Sequence, residues 1–134
     1  SPQHPIARQS MVTIDELTQY RLIALTESFG LQRHMNAMFK TAGRQFHPAY
    51  RCNLFSTAMS LSQAGLGISF MTEFAAREAI AHGILKAVPI DHPIASSAQC
   101  HLLRNSNRRF PPAAHHMWRL LHNAFRDAQR AMTV

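Results

Sequence analysis

The chain has very little cysteine. Its 134 residues include only Cys52 and Cys100, and no Cys-X-X-Cys spacing occurs. This scarcity argues against a disulfide framework and against a cysteine-based zinc site. The two thiols could form one bridge, but we expect both to be reduced and packed, as is usual in a cytoplasmic chain.

The chain also lacks a long hydrophobic run and a leader sequence. No segment approaches the roughly 18 uninterrupted apolar residues of a membrane helix, so no membrane partner is expected. The first five residues, Ser1–Pro5, include no Met, no charged region and no apolar region. They are therefore not a signal peptide, and we expect the chain to be part of a longer protein.

Acidic residues are few, with seven Asp and Glu against 14 Lys and Arg, so the net charge is +7. A basic excess can indicate nucleic-acid binding. Here the arginines are scattered from Arg8 to Arg130, and no recognition-helix, zinc-finger or RNA-binding pattern accompanies them. The excess therefore predicts a solvated surface rather than a nucleic-acid site.

The most informative segment that is present runs from Asn53 to Met71. Its first part has apolar residues at helical spacing, Gly65 is suited to end that helix, and Ile68–Met71 is a short apolar run typical of a buried strand. A helix that ends at Gly and is followed at once by a strand is a unit of a parallel sheet. Hydrophobic residues make up 46% of the chain, enough for a core.

Strands and helices alternate in the same way along the rest of the chain, which predicts an α/β fold. A helix start is predicted after the N-cap Thr13, with Asp15 and Glu16 in its first turn. The predicted strands are Arg21–Leu25, Ala49–Cys52, Ile68–Met71, Ile84–Val88 and Cys100–Leu103. The longer predicted helices are Leu31–Thr41, the one that begins near Asn53, and Glu73–His82, with Ile90–Ala98 as a connector.

A last helix is predicted to begin at Pro111-Pro112, because proline suits the first helical turn. Two stripes run along it. The apolar stripe is Ala114, Met117, Trp118, Leu121, Ala124, Phe125, Ala128 and Met132, and the basic stripe, which we expect to face solvent, is His115, Arg119, His122, Arg126 and Arg130.

Catalytic and metal motifs are weak. Ser28 lacks the first glycine of a nucleophile elbow, and nothing marks a base for Cys52. The acidic residues suggest no close carboxylate pair for acid–base catalysis. His115 and His122 lie seven apart on one helix face, but no third ligand is evident. We therefore predict no catalytic residue, no metal site and no cofactor.

The predicted arrangement of strands and loops indicates a ligand-binding site rather than a catalytic site. Three loops follow parallel strands and should leave the same edge of the sheet, where ligands of such sheets bind. Each loop leads into a helix N-terminus, whose free N–H groups favour anions. The candidate ligand-binding residues are Thr26, Glu27, Ser28, Phe29, Asn53, Leu54, Phe55, Ser56 and Thr72. Taken singly, Ser28, Asn53, Ser56 and Thr72 also suit a purely structural role as helix caps.

These residues, taken in order, resemble the effector-binding domain of LysR-type transcriptional regulators. Seven segments carry the resemblance and together cover nearly the whole chain. They are His4-Pro5-Ile6-Ala7 ("HPLA"), Val12–Leu17 ("vtldeL"), Leu22–Leu25 with Gly30–Arg33 (strand and "GLR"), Asn53 to Ile68 ("n……aGlGi"), Gly83–Pro89 ("G.Lv.vPl") and Arg109–Ala114 ("r.lspaa").

The resemblance implies a periplasmic-binding-protein-like (type 2) fold, in which two α/β subdomains are hinged around an effector. Residues 1–93 would form the second subdomain, incomplete at its N-terminus, and residues 94–134 would be the strand and C-terminal helix that return to the first subdomain. The implied partners are a small-molecule effector, further copies in a dimer or tetramer, and DNA only through a missing N-terminal winged helix-turn-helix. The implied location is cytoplasmic.

The chain departs from the family pattern in its candidate site. Thr26 and Thr72 stand where members often have proline, and Leu54 stands where a small polar residue is common. A site of hydroxyls with a more apolar corner would suit a small organic acid that has an apolar part. Two other functions fit the fold class, namely a solute-binding protein of a transport system and a small α/β enzyme domain. The transport protein would carry an export signal, and the enzyme would need a titratable pair in the crevice.

Overall fold

The computed structural model describes residues 1–97, 101–105, 107 and 109–131. The chain forms two compact units, residues 1–98 and 99–134. The first unit contains a 3-10 helix at Pro5–Arg8, α1 at Ile14–Leu17, β1 at Leu22–Leu25, α2 at Gly30–Thr41, β2 at Pro48–Cys52, α3 at Phe55–Gln63, β3 at Ile68–Ser69, α4 at Glu73–Ala81 and α5 at Pro93–Ser96. The second unit contains α6 at Pro112–Ala131.

Strand β1 is the centre of a parallel three-stranded sheet with the order β2-β1-β3. In register, Leu25 lies beside Cys52 of β2, and Leu22 lies beside Ile68 of β3. All four residues of β1 are buried, as expected for a parallel strand that is covered on both faces. The prediction of an α/β fold with a parallel sheet is confirmed.

The two faces of the sheet carry separate apolar clusters, because successive side chains of a strand point to opposite sides. Leu22 packs in a cluster with Met35, Met38 and Phe39 of α2. On the other face, Ile23 and Leu25 pack with Ala58 of α3. Helices therefore cover the sheet on both sides and fix the loops that connect them to β1 and β2.

Gly65 and Gly67 connect α3 to β3 for two different physical reasons. Gly65 has a φ of 74°, the left-handed conformation that ends a helix at low cost only in glycine. At Gly67 a Cβ atom would lie 2.6 Å from the carbonyl oxygen of Arg21 and 3.2 Å from Cγ1 of Ile23. Absence of a side chain at Gly67 therefore allows β3 to approach β1.

Two of the predicted strands are wrong and a third is shorter than predicted. β3 includes only Ile68 and Ser69 of the segment Ile68–Met71. Ile84–Val88 forms no strand, because the N–H groups of Ile84 and Leu85 donate to the carbonyl of Ala79 at the end of α4. A single parallel bridge follows, between Val12 and Ile90.

The predicted fifth strand is wrong in its described part. Residues 101–103 have no regular structure, and Leu103 is 83% exposed, whereas a core strand would bury it. Cys100 lies outside the described residues. The predicted connector Ile90–Ala98 contains the short helix α5, which begins at Pro93 after the N-cap His92.

Helix α6 begins at Pro112 as predicted. Within its own unit Met117, Leu121, Ala124 and Phe125 of its apolar stripe are exposed, Ala114 and Trp118 are half-buried, and Ala128 and Met132 lie beyond the described side chains. Met117 is 56% exposed and Phe125 is 40% exposed. Of the basic stripe, His115, Arg119, His122 and Arg126 are exposed as expected, and Arg130 lies beyond the described side chains. Phe110 stacks edge-on against Trp118 with ring centroids 5.9 Å apart.

None of the helices, over the residues described, is long and apolar enough to span a membrane. The same residues include no group of three metal-ligating side chains. Cys52 is a half-buried free thiol whose Sγ lies 3.5 Å from the carbonyl oxygen of Ala24.

Two carboxyl groups at the start of α1 make the stability of the fold depend on pH. The Thr13 hydroxyl accepts from the Glu16 N–H at 3.3 Å, and the Glu16 carboxylate accepts from the Thr13 N–H at 2.8 Å. These hydrogen bonds hold the pKa of Glu16 below its ordinary value of 4.5. A hydrogen bond from Arg44 at 2.7 Å, together with its charge, holds the pKa of Asp15 below 3.8.

Acidification should therefore remove stability that is present at neutral pH. A carboxyl group with a lowered pKa in the folded state stabilises it above the unfolded pKa, and this contribution is lost as the pH falls through the folded pKa. We expect Glu16→Gln to reduce the loss of unfolding free energy below about pH 4.5, since glutamine keeps the capping geometry without titrating. Urea unfolding at neutral and acidic pH tests this. Identical pH profiles for Glu16→Gln and the parent chain would contradict it.

Candidate functional site

The carboxyl ends of β1, β2 and β3 lie at one edge of the sheet, because the three strands are parallel and adjacent. The loops that follow them are residues 26–29, 53–54 and 70–72. All nine candidate residues lie in these loops or in the first turn of α3. The three loops therefore lie at one edge of the sheet, as predicted. We call the surface that they form, together with the first turn of α3, the rim.

Phe29 and Phe55 join the first two loops directly. Their ring centroids are 5.1 Å apart and the rings are nearly perpendicular, at 86°. Such edge-to-face pairs contribute about 0.5–1.5 kcal/mol beyond the area that they bury. Both rings are half-buried against the cluster of Ile23, Leu25 and Ala58. They form an apolar floor for this part of the rim.

The N-termini of α2 and α3 at this rim are not capped by side chains. Their N-cap residues are Phe29 and Leu54, and neither makes a side-chain capping bond. The capping interpretation is therefore wrong for Ser28, Asn53 and Ser56. It is right for Thr72, whose hydroxyl accepts from the Ala75 N–H at 3.3 Å.

Polar groups at the first and second loops face solvent. The hydroxyls of Thr26 and Ser28 lie 2.9 Å apart, within hydrogen-bond distance, and both residues are exposed. Asn53 and Ser56 are exposed across the aromatic pair. Because N–H groups at a helix N-terminus attract anions, this combination suits an anionic ligand.

Glu27 points away from this cluster. Both of its carboxylate oxygens lie 3.0 Å from Nδ2 of Asn36. The Asn36 side chain in turn accepts from Nε2 of Gln32 at 2.9 Å, and Oε1 of Gln32 accepts from the Leu25 N–H at 3.0 Å. This relay, the hydrogen-bonded series Leu25–Gln32–Asn36–Glu27, fixes the first loop to β1 and α2.

The relay was not predicted, although the sequence contains a feature that indicates it. Gln32 is a polar residue on the inward stripe of α2, and it is only 2% exposed. Buried polar side chains are almost always hydrogen-bonded to something nearby. A glutamine among inward-facing methionines therefore predicts a structural hydrogen bond to the adjacent strand.

Sequence reasoning also missed Phe74 at the third loop. Phe74 is 70% exposed in the first turn of α4, and the guanidinium of Arg77 lies 5.7 Å from its ring centroid. Leu54, at the second loop, is 55% exposed. Both side chains add apolar surface to the loops of the rim, although single exposed apolar side chains are common on protein surfaces. The sequence feature that could have indicated Phe74 is its position two residues after the N-cap Thr72.

A groove of the first unit lies beside the rim rather than on it. Its volume is about 540 Å³, and it shares only Glu27 with the nine candidate residues. The rim itself is open. Thr26, Ser28, Asn53, Leu54, Ser56 and Thr72 are all exposed there.

One family model and two curated relatives match this chain. The family model described as the LysR substrate binding domain matches residues 1–126. The uncharacterized HTH-type transcriptional regulator YbhD of Escherichia coli (strain K12) is 27% identical over 124 residues, covering 92% of this chain and 38% of that protein. The uncharacterized HTH-type transcriptional regulator YvbU of Bacillus subtilis (strain 168) is 30% identical over 70 residues, covering 52% of this chain and 23% of that protein.

A solved structure supports the fold. The effector binding domain of QuiR in complex with shikimate superposes with a TM-score of 0.64 at 18% identity, covering 86% of this chain and 53% of that one. The predicted periplasmic-binding-protein-like fold is thus confirmed. This chain spans well under half the length of either regulator. Residues 1–126 match the family along nearly the entire chain, and the protein therefore belongs to the LysR substrate-binding domain family.

Proposed function

We propose that this chain is the effector-sensing part of a LysR-type transcriptional regulator. The observation that carries the proposal is the convergence of three parallel strand ends on one rim, with two uncapped helix N-termini beside exposed hydroxyl and amide groups. The effector would control DNA binding by a winged helix-turn-helix outside this chain. The full regulator would act in the cytoplasm as a dimer or tetramer and would catalyse no reaction.

In this proposal the rim is one wall of the effector cleft. Residues 1–93 form the second subdomain, residues 94–134 return to the first, and the opposite wall belongs to the first subdomain. An effector that binds the closed arrangement of the two walls more tightly than the open one shifts the population toward the closed state. That shift in turn resets the geometry of the DNA-binding domains.

The chemistry of the rim favours a small organic acid. Ser28 and Asn53, with the N–H groups of α2 and α3, would hold its carboxylate, and Thr26, Ser56 and Thr72 would contact its other polar groups. Phe29, Phe55 and Leu54 would pack its apolar part. The solved relative binds shikimate, and small organic acids are therefore the first compounds to test. A thermal-shift screen of such acids on this chain would identify a ligand.

Ser28 and Asn53 should then set the sensitivity of the regulator. We expect Ser28→Ala and Asn53→Ala each to raise the effector concentration for half-maximal response by about tenfold, the factor that corresponds to 1.4 kcal/mol for one lost hydrogen bond to a charged group. Both side chains are exposed, so thermal stability should be unchanged. A reporter assay with the full-length regulator measures the response.

Ser60→Ala is the matched control, because Ser60 is an exposed residue of α3 away from the rim. It should respond like the parent regulator. Normal sensitivity of both rim variants would refute the assignment of this site, and a similar loss in the Ser60 variant would attribute the effect to α3 in general.

A further inference from the structure

A groove in the first unit lies beside the rim, between the end of α2 and the edge strand β2. Its volume is about 540 Å³, within the range of small-molecule sites. The lining residues are Glu27, Asn36, Lys40, Gly43, Arg44, Gln45, Phe46, His47 and Arg51. Three of these carry permanent positive charges and one carries a negative charge.

The cations of the groove are poorly neutralised. Across the residues that the structure describes, the one ion pair joins Arg44 to Asp15, so Lys40 and Arg51 have no carboxylate within 4.0 Å. Glu27 offsets one of the three positive charges but forms no ion pair with them, because both of its oxygens accept from the neutral amide of Asn36. The lining therefore has an excess of positive charge, which attracts anions.

Contacts beneath the groove fix the position of the loop between α2 and β2. Phe46 packs edge-on against Phe39 and Phe70, with ring centroids 4.9 and 6.0 Å away. The Arg44 N–H donates to the carbonyl of Phe39 at 2.8 Å, which ties the loop to the end of α2. The loop backbone that carries Arg44 is therefore held in place before a ligand binds, which reduces the conformational entropy lost on binding.

Arg44 remains able to bind a ligand despite its ion pair. Its bond to Asp15 uses Nε, at 2.7 Å, and the two terminal amino groups of the guanidinium carry four further N–H donors. The Asp15 carboxylate thus orients the guanidinium. Arg51 provides a second guanidinium from β2, and Lys40 provides a point charge from α2. Two guanidinium forks and one ammonium match the oxygens of phosphate better than those of a single carboxylate.

We propose that this groove is a second binding site, separate from the effector rim, for a small molecule that carries a phosphate or pyrophosphate group. Lys40, Arg44 and Arg51 bind the phosphate oxygens, Gln45 contacts the remainder of the ligand, and Phe46 lies at the base. The site does not depend on the function proposed for the rim. It requires only the first unit of this chain.

The test is a titration of the 15N-labelled chain with inorganic pyrophosphate at constant ionic strength, followed by NMR. We expect saturable shifts at the backbone amides of residues 40, 43–47 and 51. The double variant Lys40→Gln/Arg51→Gln should weaken binding by at least about tenfold, the factor that corresponds to 1.4 kcal/mol. Its dispersed amide spectrum would show that it still folds.

Arg126→Gln on α6 is the matched control, because Arg126 is exposed and lies outside the groove. It should bind pyrophosphate like the parent chain. Shifts that do not saturate, or equal weakening by the control, would overturn the proposal. So would shifts confined to residues 26–29 and 53–56, or shifts of the groove amides by a DNA duplex but not by pyrophosphate. Failure of an effector to bind at the rim would leave these outcomes unchanged.

Discussion

Replacing Gly67 with alanine is expected to lower the free energy of unfolding by about 3 kcal/mol, the upper part of the range for overpacking a close contact. The new methyl group would lie 2.6 Å from the carbonyl oxygen of Arg21. The same oxygen accepts from the Ile68 N–H at 2.9 Å and pairs β3 with β1. The clash is with backbone, which cannot move aside as a flexible side chain would. We therefore expect β3 to separate from β1.

Gly65→Ala is the matched comparison, two residues away. Its φ of 74° strains any residue with a side chain, at a cost of about 1–2 kcal/mol. No atom lies within 4 Å of the added methyl group, so the variant lacks the clash. Urea unfolding of both variants separates the two effects. Equal losses at both positions would contradict the steric explanation for Gly67.

Replacing Gln32 with leucine is expected to cost about 2–3 kcal/mol of unfolding free energy, because a buried backbone N–H loses its partner. The side chain is 2% exposed, and its Oε1 accepts from the Leu25 N–H at 3.0 Å. Leucine has a similar size but no acceptor. The variant also disconnects Asn36 from β1, which should loosen Glu27 and the first loop of the rim.

Asn36→Ala is the control variant, because it breaks the relay at Asn36 and not at Gln32. It removes the bonds to Glu27 and the bond from Gln32 Nε2, but keeps the bond between Gln32 Oε1 and the Leu25 N–H, so we expect a loss of about 1–2 kcal/mol. Urea unfolding and hydrogen exchange at the Leu25 amide measure the two roles. Exchange should accelerate in the Gln32 variant alone. Equal acceleration in both variants would show that the relay is not divided as described.

Local sequence was sufficient for much of the fold. The four apolar residues of β1, the capping residue Thr13 and the glycines that end helices are signals that act within a few residues. They predicted α1, β1, β2, α2, α3 and α4 close to their observed bounds. Since parallel strands place their carboxyl ends together, these elements also located the candidate rim.

Pairing between distant segments was not predictable in the same way. Ile84–Val88 is as apolar as a strand, but its first N–H groups are used by the end of α4. Leu103 is apolar and yet 83% exposed. An apolar run indicates a preference for burial, whereas a strand also requires a neighbouring backbone with unpaired groups. The sequence pattern does not contain that information.

The details of the site depend equally on tertiary contacts. Glu27 was predicted to line the crevice with its neighbours, but its carboxylate is held by Asn36 on α2. The basic groove combines residues from α2, a loop and β2 that are scattered along the sequence. Scattered arginines predicted a solvated surface, and only the folded chain shows that three cations line one groove.

The unequal length of the outer strands gives the rim a mechanical asymmetry. β2 is paired with β1 at four positions, but β3 is paired at only two. Fewer cross-strand bonds mean that the end of the sheet carrying Thr72 and Phe74 opens locally at a lower free energy than the end carrying Asn53. A ligand that touches both ends would consequently lose entropy in ordering mainly the weaker one. The affinity of such a ligand would therefore depend on how stably β3 pairs with β1.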